Sequence, residues 1–380
     1  MAGTAGAARG ATAGDGGASG SGGGDERAGS GGASMRERAA ETAPDTSAAK
    51  RAPSGSGAAA GGARPTPAPS VSPTPAVWVQ RGDDIDGEAA GDQSGISVSL
   101  SADGTALAIG AYLNDGAGSW AGHARVFAWD PDDETWKQRG DDIDGEAASD
   151  FSGISVSLSA DGTALAVGAS GNDGAGSNAG HARVFAWDPV DETWKQRGDD
   201  IDGEAAGDYS GRSVSLSADG TMLAVGASGN DGAGSNAGHA RVFAWNSDDE
   251  TWVQRGDDID GEAADDDSGR SVSLSADGAA LAVGAPRNDG GGNSAGHARV
   301  FAWDPDDETW KQRGGDIDGK AAGDESGRSV SLSADGATLA VGAYENDGAG
   351  SMHLRHGLMG HGMHGMMASQ KSQQESEKFV

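Results

Sequence analysis

Ser97 to Ala111 reads SVSLSADGTALAIGA, and this stretch decides the fold. Ser97 to Ser101 alternates strictly, with Val98 and Leu100 on one face and serines on the other, the period of a half-buried strand. Asp103-Gly104 then supplies the strongest short hairpin signal between two such runs. Ala106 to Ala111 is the return strand, with Leu107 and Ile109 opposite alanine and glycine. Ala124 to Trp129 (ARVFAW) reads as a third strand that puts Arg125, Phe127 and Trp129 on one side. Asp130 to Thr135 (DPDDET) is an acidic turn set by its proline, and Trp136 to Gly140 (WKQRG) is a fourth, half-solvated strand.

The unit repeats. Trp78, Trp136, Trp194, Trp252 and Trp310 stand 58 residues apart without insertion. Four copies are complete (78–135, 136–193, 194–251, 252–309), and a fifth is partial (310–351). The second and third differ at only 7 of 58 positions, so whatever one copy builds the others build too. A four-stranded meander cannot bury both faces alone. Each strand here has one face of large side chains and one of Ala, Gly or Ser, so radially arranged meanders nest large against small. The expectation is an all-β protein: a β-propeller of four-stranded meander blades, flanked by disordered tails. A linear β-solenoid is the rival, but 58 residues are long for one of its coils.

The flanks differ in composition. Residues 1–77 are Ala, Gly, Ser, Thr and Pro with four larger apolar residues (Met1, Met35, Val71, Val77), too few to offset the entropy of ordering the chain. Arg64 to Pro75 reads as a stiff, extended linker. Residues 352–380 are Met/His-rich and then polar, and are expected to be a disordered tail. Their imidazoles and thioethers suit copper or nickel, although low-complexity sequence is the simpler reading. The repeat register is lost at Met352, as in a truncated or frame-shifted array. Trp78 to Asp83 is a fourth strand with no blade before it; it could cap the last blade of an imperfect ring, but a fragment of a longer array fits better.

Composition excludes several classes. With 67 glycines in 380 residues and 5% aromatics, a large helical core is ruled out. Cysteine is absent, and with it disulfides, zinc–thiolate sites and thiol nucleophiles. No run of 18 apolar residues offers a membrane span, and no apolar stretch near Met1 offers an ordinary signal peptide. The net charge is −32, and residues 78–351 hold 51 of the 59 acidic side chains against 17 of the 27 basic ones. Such a surface repels nucleic acid and anionic lipid and attracts cations or basic partners.

In a meander the second-to-third loop (111–123) and the fourth-to-first loop (83–95) fall on one face. Copy-specific residues concentrate there: Gln93, Phe151, Tyr209, Asp267 and Glu325 at one position, and Tyr112, Leu113, Pro286, Arg287 and Tyr344 at another. These form the candidate face for a protein or glycan partner, since loops on a rigid scaffold are where binding usually resides, although free drift of exposed positions is the simpler reading. The acidic loops also carry calcium candidates, Asp84, Asp86 and Asp92 beside Glu88, with carboxylates alternating about a glycine turn. The equivalents are Asp142, Asp144 and Asp150, then Asp200, Asp202 and Asp208, then Asp258, Asp260 and Asp266. The terminal glutamate of an EF-hand is missing, and a solvated acidic loop is the simpler alternative. Gly315 and Lys320 make the fifth copy the weakest site.

His123, His181, His239 and His297 recur in the same AGHARVF setting. They read as strand-entry residues hydrogen-bonded to a local loop, because catalysis ordinarily needs one asymmetric constellation. A noncatalytic protein is therefore expected, with an enzyme on a propeller scaffold the least favoured class.

Ser210 to Ala227 (SGRSVSLSADGTMLAVGA), with Gly207-Asp208 and Gly284-Ala285-Pro286, resembles FG-GAP repeats, the blades of integrin α-chain propellers and many secreted adhesion proteins. The resemblance spans 78–351 and is to the acidic multicopy type of algal and marine bacterial proteins, whose phrase DIDGEAAGD stands at 84–92. Two features depart from the family. Its "FG" phenylalanine is serine at 94, 152, 210, 268 and 326, and its Asp-rich calcium loop is shortened to SADG, so Asp103 and its equivalents are hairpin residues. The resemblance implies a binding or adhesion module, extracellular or at the cell surface. The alternative it leaves is an acidic, calcium-holding structural protein of a matrix.

Overall fold

A computed structural model describes residues 78–347 and the strand 353–356. The readings of 1–77 as a disordered segment and of the Met/His tail beyond 356 lie outside the described residues.

The first sheet is made of β1 (Ser97–Leu100), β2 (Ala106–Ala111), β3 (His123–Asp130), β4 (Thr135–Gln138) and β5 (Ile143–Asp144). The order β1-β2-β3-β4 is an antiparallel meander, as expected from the alternation and turn signals. Its hairpin is fastened by Asp103, whose carboxylate accepts from Ser101 Oγ (2.7 Å), Thr105 N–H (2.9 Å) and Thr105 Oγ1 (2.8 Å). The outer strand is longer than its sequence implied. After β4 the chain bulges and returns as β5, which pairs with His123 and Ala124 at the start of β3. Buried Ile143 anchors that return, so half of the DDID segment read as loop is strand. The same five elements recur in the next three copies; the fifth sheet has three strands, Ser326–Leu332, Thr338–Ala343 and His353–His356.

Blades nest large against small. Ala106, Ala108, Ala124 and Val126 of the first blade receive Val156, Leu158, Leu165, Val167 and Phe185 of the second, with Trp194 at the edge. Burial of each such large side chain stabilises by about 2 kcal/mol. The spacing between blades is uneven. At the first strands the backbones touch: Ala102 N–H donates to Ala160 O at 2.8 Å, and the link recurs from Ala160 to Ala218, Ala218 to Ala276 and Ala276 to Ala334. A Cβ on Gly110 would lie 2.0 Å from Gly153 O, so only glycine permits that approach. At the outer strands the gap is filled by side chains: Trp194 Nε1 donates to Arg139 O at 2.8 Å, and the Arg139 guanidinium lies 4.4 Å from the Trp187 ring. Narrow inside and wide outside, each interface is a wedge that fans successive blades about the first strands, which is the propeller arrangement.

The serine at the "FG" position has a reason. Ser152 is fully buried, bridges Gly122 in parallel, and donates its N–H to Ala121 O at 2.9 Å. Its Cβ lies 3.2 Å from where a Cβ on Gly145 would stand, so two small residues pack closely here.

The ends of the array depart from the interior. Val98 and Leu100 are 63% and 59% exposed, where the equivalent Val156 and Leu158 are 8% and 7%. Trp78 is fully exposed, and residues 78–83 form no strand. They lie against the first blade instead, with Trp136 Nε1 donating to Arg81 O at 3.0 Å and the Arg81 guanidinium 4.2 Å from the Trp129 ring. This segment thus stands where a preceding blade's outer strand would, and does not cap the fifth. There the third place is taken by His353–His356, in register with Thr338–Val341. The sequence carries no strand signal at that point; an open edge of unpaired amides and carbonyls recruits any extended segment.

Candidate functional site

Each of the four complete blades gathers one histidine and two carboxylates from separate places in the chain: Glu88, His123 and Asp142; Glu146, His181 and Asp200; Glu204, His239 and Asp258; Glu262, His297 and Asp316. The histidine opens the third strand, the glutamate comes from the loop before the blade, and the aspartate from the bulge after β4 or its equivalent. His123 Nδ1 lies 3.8 Å from both Glu88 Oε2 and Asp142 Oδ2. The second and third copies reproduce this at 3.8–3.9 Å.

Both carboxylates are held by their far oxygens. Glu88 Oε1 faces the Arg125 guanidinium at 3.9 Å, and Asp142 Oδ1 accepts from Gln138 Nε2 at 2.7 Å. The near oxygens converge on the imidazole, that of Glu88 also accepting from Asn114 Nδ2 at 3.4 Å. All four histidines are buried to within 1% exposure, and their Nδ1 atoms make no hydrogen bond. Burial, and then the neighbouring arginine, depress the imidazolium pKa, to about 4 at His181 and in the same direction at His239 and His297. The rings of His181, His239 and His297 are therefore neutral near pH 7, each with one nitrogen lone pair. This corrects the reading of these histidines as loop-bonded strand starts: they open the strand, but their Nδ1 is unpartnered and aimed at two carboxylates. Each such cluster could hold a metal ion.

The acidic calcium candidates separate into three kinds. Asp142, Asp200 and Asp258 join the clusters; Asp84, their counterpart in the first loop, accepts from Gln80 as Asp142 does from Gln138, with no histidine cluster around it among the described residues. Asp144 is paired with His123 across the strands, Asp202 with His181 and Asp260 with His239; Asp86 offers its backbone carbonyl to Arg125 at 2.7 Å. Desolvation raises the carboxyls of Asp144 and Asp202. Asp92, Asp150, Asp208 and Asp266 are buried turn caps. Asp150 accepts from the N–H groups of Glu146 (2.9 Å) and Ala147 (2.8 Å) and from Asn172 (3.2 Å). Sequence reasoning kept each loop's acids together, whereas the fold joins a glutamate of one loop to an aspartate of the next, 54 residues on, as in Glu88 and Asp142.

The copy-specific loop residues meet in smaller groups. Gln93, Phe151, Tyr209, Asp267 and Glu325 all hold left-handed backbone, with φ between 49° and 57°. For Phe and Tyr this is a strained conformation. Phe151 stacks near Trp120 (6.4 Å between centroids) and Tyr112 (6.0 Å). Tyr209, Asp267 and Arg287 line one cavity of about 300 Å³. Leu113 is half-buried, Pro286 is buried, and Tyr344 is exposed beneath the Arg328 guanidinium, 4.8 Å from its ring. Sequence reasoning missed Arg212 and Arg270, which line the same cavity; the signal was there, because the first two copies carry Ile96 and Ile154 at that position.

Residues 201–243 match the FG-GAP repeat family. That segment runs from the outer strand of one blade to the third strand of the next, and its near-identical copies carry the repeat through the array. Among curated proteins none matches the chain. Solved structures similar to it include a protein assigned as a 6-phosphogluconolactonase from Bacteroides uniformis, at 16% identity and TM-score 0.46 over 68% of this chain and 70% of that one. The periplasmic gluconolactonase PpgL of Pseudomonas aeruginosa matches at 20% identity and TM-score 0.45, over 64% of each chain. Kuenenia stuttgartiensis hydrazine synthase matches at 14% and 0.41, over 65% of this chain and 61% of that one. The expectation of a noncatalytic protein is corrected on this finding: structures of enzymes stand among those the chain resembles. Likenesses at these scores carry no reaction or substrate over to this chain.

Proposed function

We propose that this chain is a propeller-repeat binding module whose loop-bearing face is fixed by divalent cations, one per complete blade, and that it engages a protein or glycan partner through the copy-specific residues of that face. The observation that carries the reading is the buried, unpartnered histidine Nδ1 facing two carboxylate oxygens, four times over. Buried polar atoms are ordinarily paired, and a cation at the convergence would pair all three. One imidazole with two carboxylates suits zinc or manganese. Calcium takes six to eight oxygens, and the best-placed further carboxylates, those of the Asp92 type, are occupied by turn amides and Asn side chains. Charge alone favours the second reading, a calcium-holding matrix protein, and the histidines separate the two. Adhesion at a cell surface is the setting the FG-GAP resemblance supports.

Each cation would link the loop entering a blade to the loop leaving it, so metal should stiffen the array. Thermal unfolding tests this. Micromolar zinc or manganese should raise Tm, chelator should reverse the shift, and calcium at the same concentration should do little; at a hundredfold excess over Kd each site adds about 2.7 kcal/mol. Changing His181 and His239 to Ala should roughly halve the shift. An equal response to calcium that ignores the histidines would support the matrix reading instead.

A further inference from the structure

The loop-bearing face also carries a basic site in this acidic molecule. Arg212 and Arg270 stand at the entry of the first strands of the third and fourth blades and border the 300 Å³ cavity with Tyr209, Asn236, Asp267 and Arg287. Arg328 lies close enough to repel both. Two of the charges have partners: Arg287 Nε is 3.3 Å from Asp267, and Arg328 bonds Glu325 at 3.0 Å. Among the described residues, the Arg212 and Arg270 guanidiniums make neither a hydrogen bond nor a salt bridge. Three guanidiniums thus line the cavity against the single carboxylate of Asp267. Burial and mutual repulsion lower both free arginines, Arg270 to about 10, so the site holds positive charge it does not itself neutralise.

We propose that this cavity binds a small acidic sugar, with a carboxylate or sulfate held by Arg212 and Arg270 and the sugar ring against Tyr209. Guanidinium forks match planar and tetrahedral oxyanions with paired hydrogen bonds. Tyr209 is 42% exposed and packs over Gly229, where a Cβ would stand 2.8 Å from its ring. It therefore offers a flat apolar face with a phenolic hydroxyl, and Asn236 adds a neutral amide for a sugar hydroxyl. The volume is at the lower end for small-molecule sites, and fits one sugar unit. The acidic surroundings disfavour long polyanions and select for a short ligand.

Titration calorimetry of the full chain would compare glucuronate, glucose 6-sulfate, neutral glucose and inorganic sulfate. Arg212→Ile and Arg270→Ile are the variants of choice, because the first two blades already carry isoleucine at that position and fold the same way. Either acidic sugar should bind, glucose should not, and each variant should weaken binding at least tenfold; the arm that binds tells carboxylate from sulfate. Glucose binding as well as the acids, free sulfate binding as tightly as a sulfated sugar, unchanged affinity in the variants, or no binding at all would overturn the proposal. The inference rests on the ligand-face part of the proposed function and not on its cations. Zinc uptake lost with sugar binding intact would sink the cation sites alone, and the converse would sink this site alone.

Discussion

At the scale of single residues, the same side chain type does several jobs, and position decides which. Asp103 fastens a hairpin, Asp150 caps a buried turn, and Asp200 faces an imidazole. Asp150→Ala should cost about 2 kcal/mol in chemical unfolding whether or not metal is present, because it removes the acceptor of two turn amides and of the buried Asn172 side chain. A loss seen only in metal-loaded protein would make Asp150 a ligand. Asp103 gives a pH test. Hydrogen bonds from Ser101 and then Thr105 lower its pKa from 3.8 to about 2, so its contribution is present above pH 3.8 and is lost as pH falls toward 2. Hydrogen exchange across 101–106 should accelerate over that window, and Asp103→Ala should show the fast rate at every pH. Hairpin aspartates were legible, since Asp-Gly between alternating runs has one local meaning. The His–Glu–Asp clusters were not, because their partners meet only when consecutive blades stack.

At the scale of elements, each strand has one large and one small face, and this was read directly from the alternation in SVSLS and ALAIGA. What alternation could not show is the split outer strand, where Ile143 returns to the sheet after a bulge, or the αL residues at the tips. The first blade lacks a neighbour on its large face among the described residues, which predicts unequal mutational costs. Leu158→Ala should destabilise by about 3 kcal/mol, while Leu100→Ala, at 59% exposure, should cost under about 1 kcal/mol. Equal costs at the two positions would mean that the first blade is covered in solution as the others are. Phe151→Gly and Tyr209→Gly should relieve left-handed strain and stabilise slightly, while removing side chains from the proposed partner-binding loops. A large destabilisation would assign them to packing instead.

At the scale of the whole molecule, the wedge between blades turns near-identical units into a propeller with one face of long loops. The repeat, the all-β class and that face were all visible in a sequence whose copies differ at so few positions. The arginine cavity was less so: it arises where three copies replace isoleucine by arginine and the fan brings those positions together. Net charge was informative in sign but not in place, since 51 acids mark the array as cation-attracting and only geometry separates the four His–Glu–Asp clusters from turn caps. The most direct test of the account is to count metal. After equilibrium dialysis against micromolar zinc or manganese, elemental analysis should find close to four ions per chain, and His181→Ala should remove one while leaving the fold intact. A count near zero, or one that the histidine change leaves untouched, would contradict the cation sites and leave the clusters as buried pairs without a ligand.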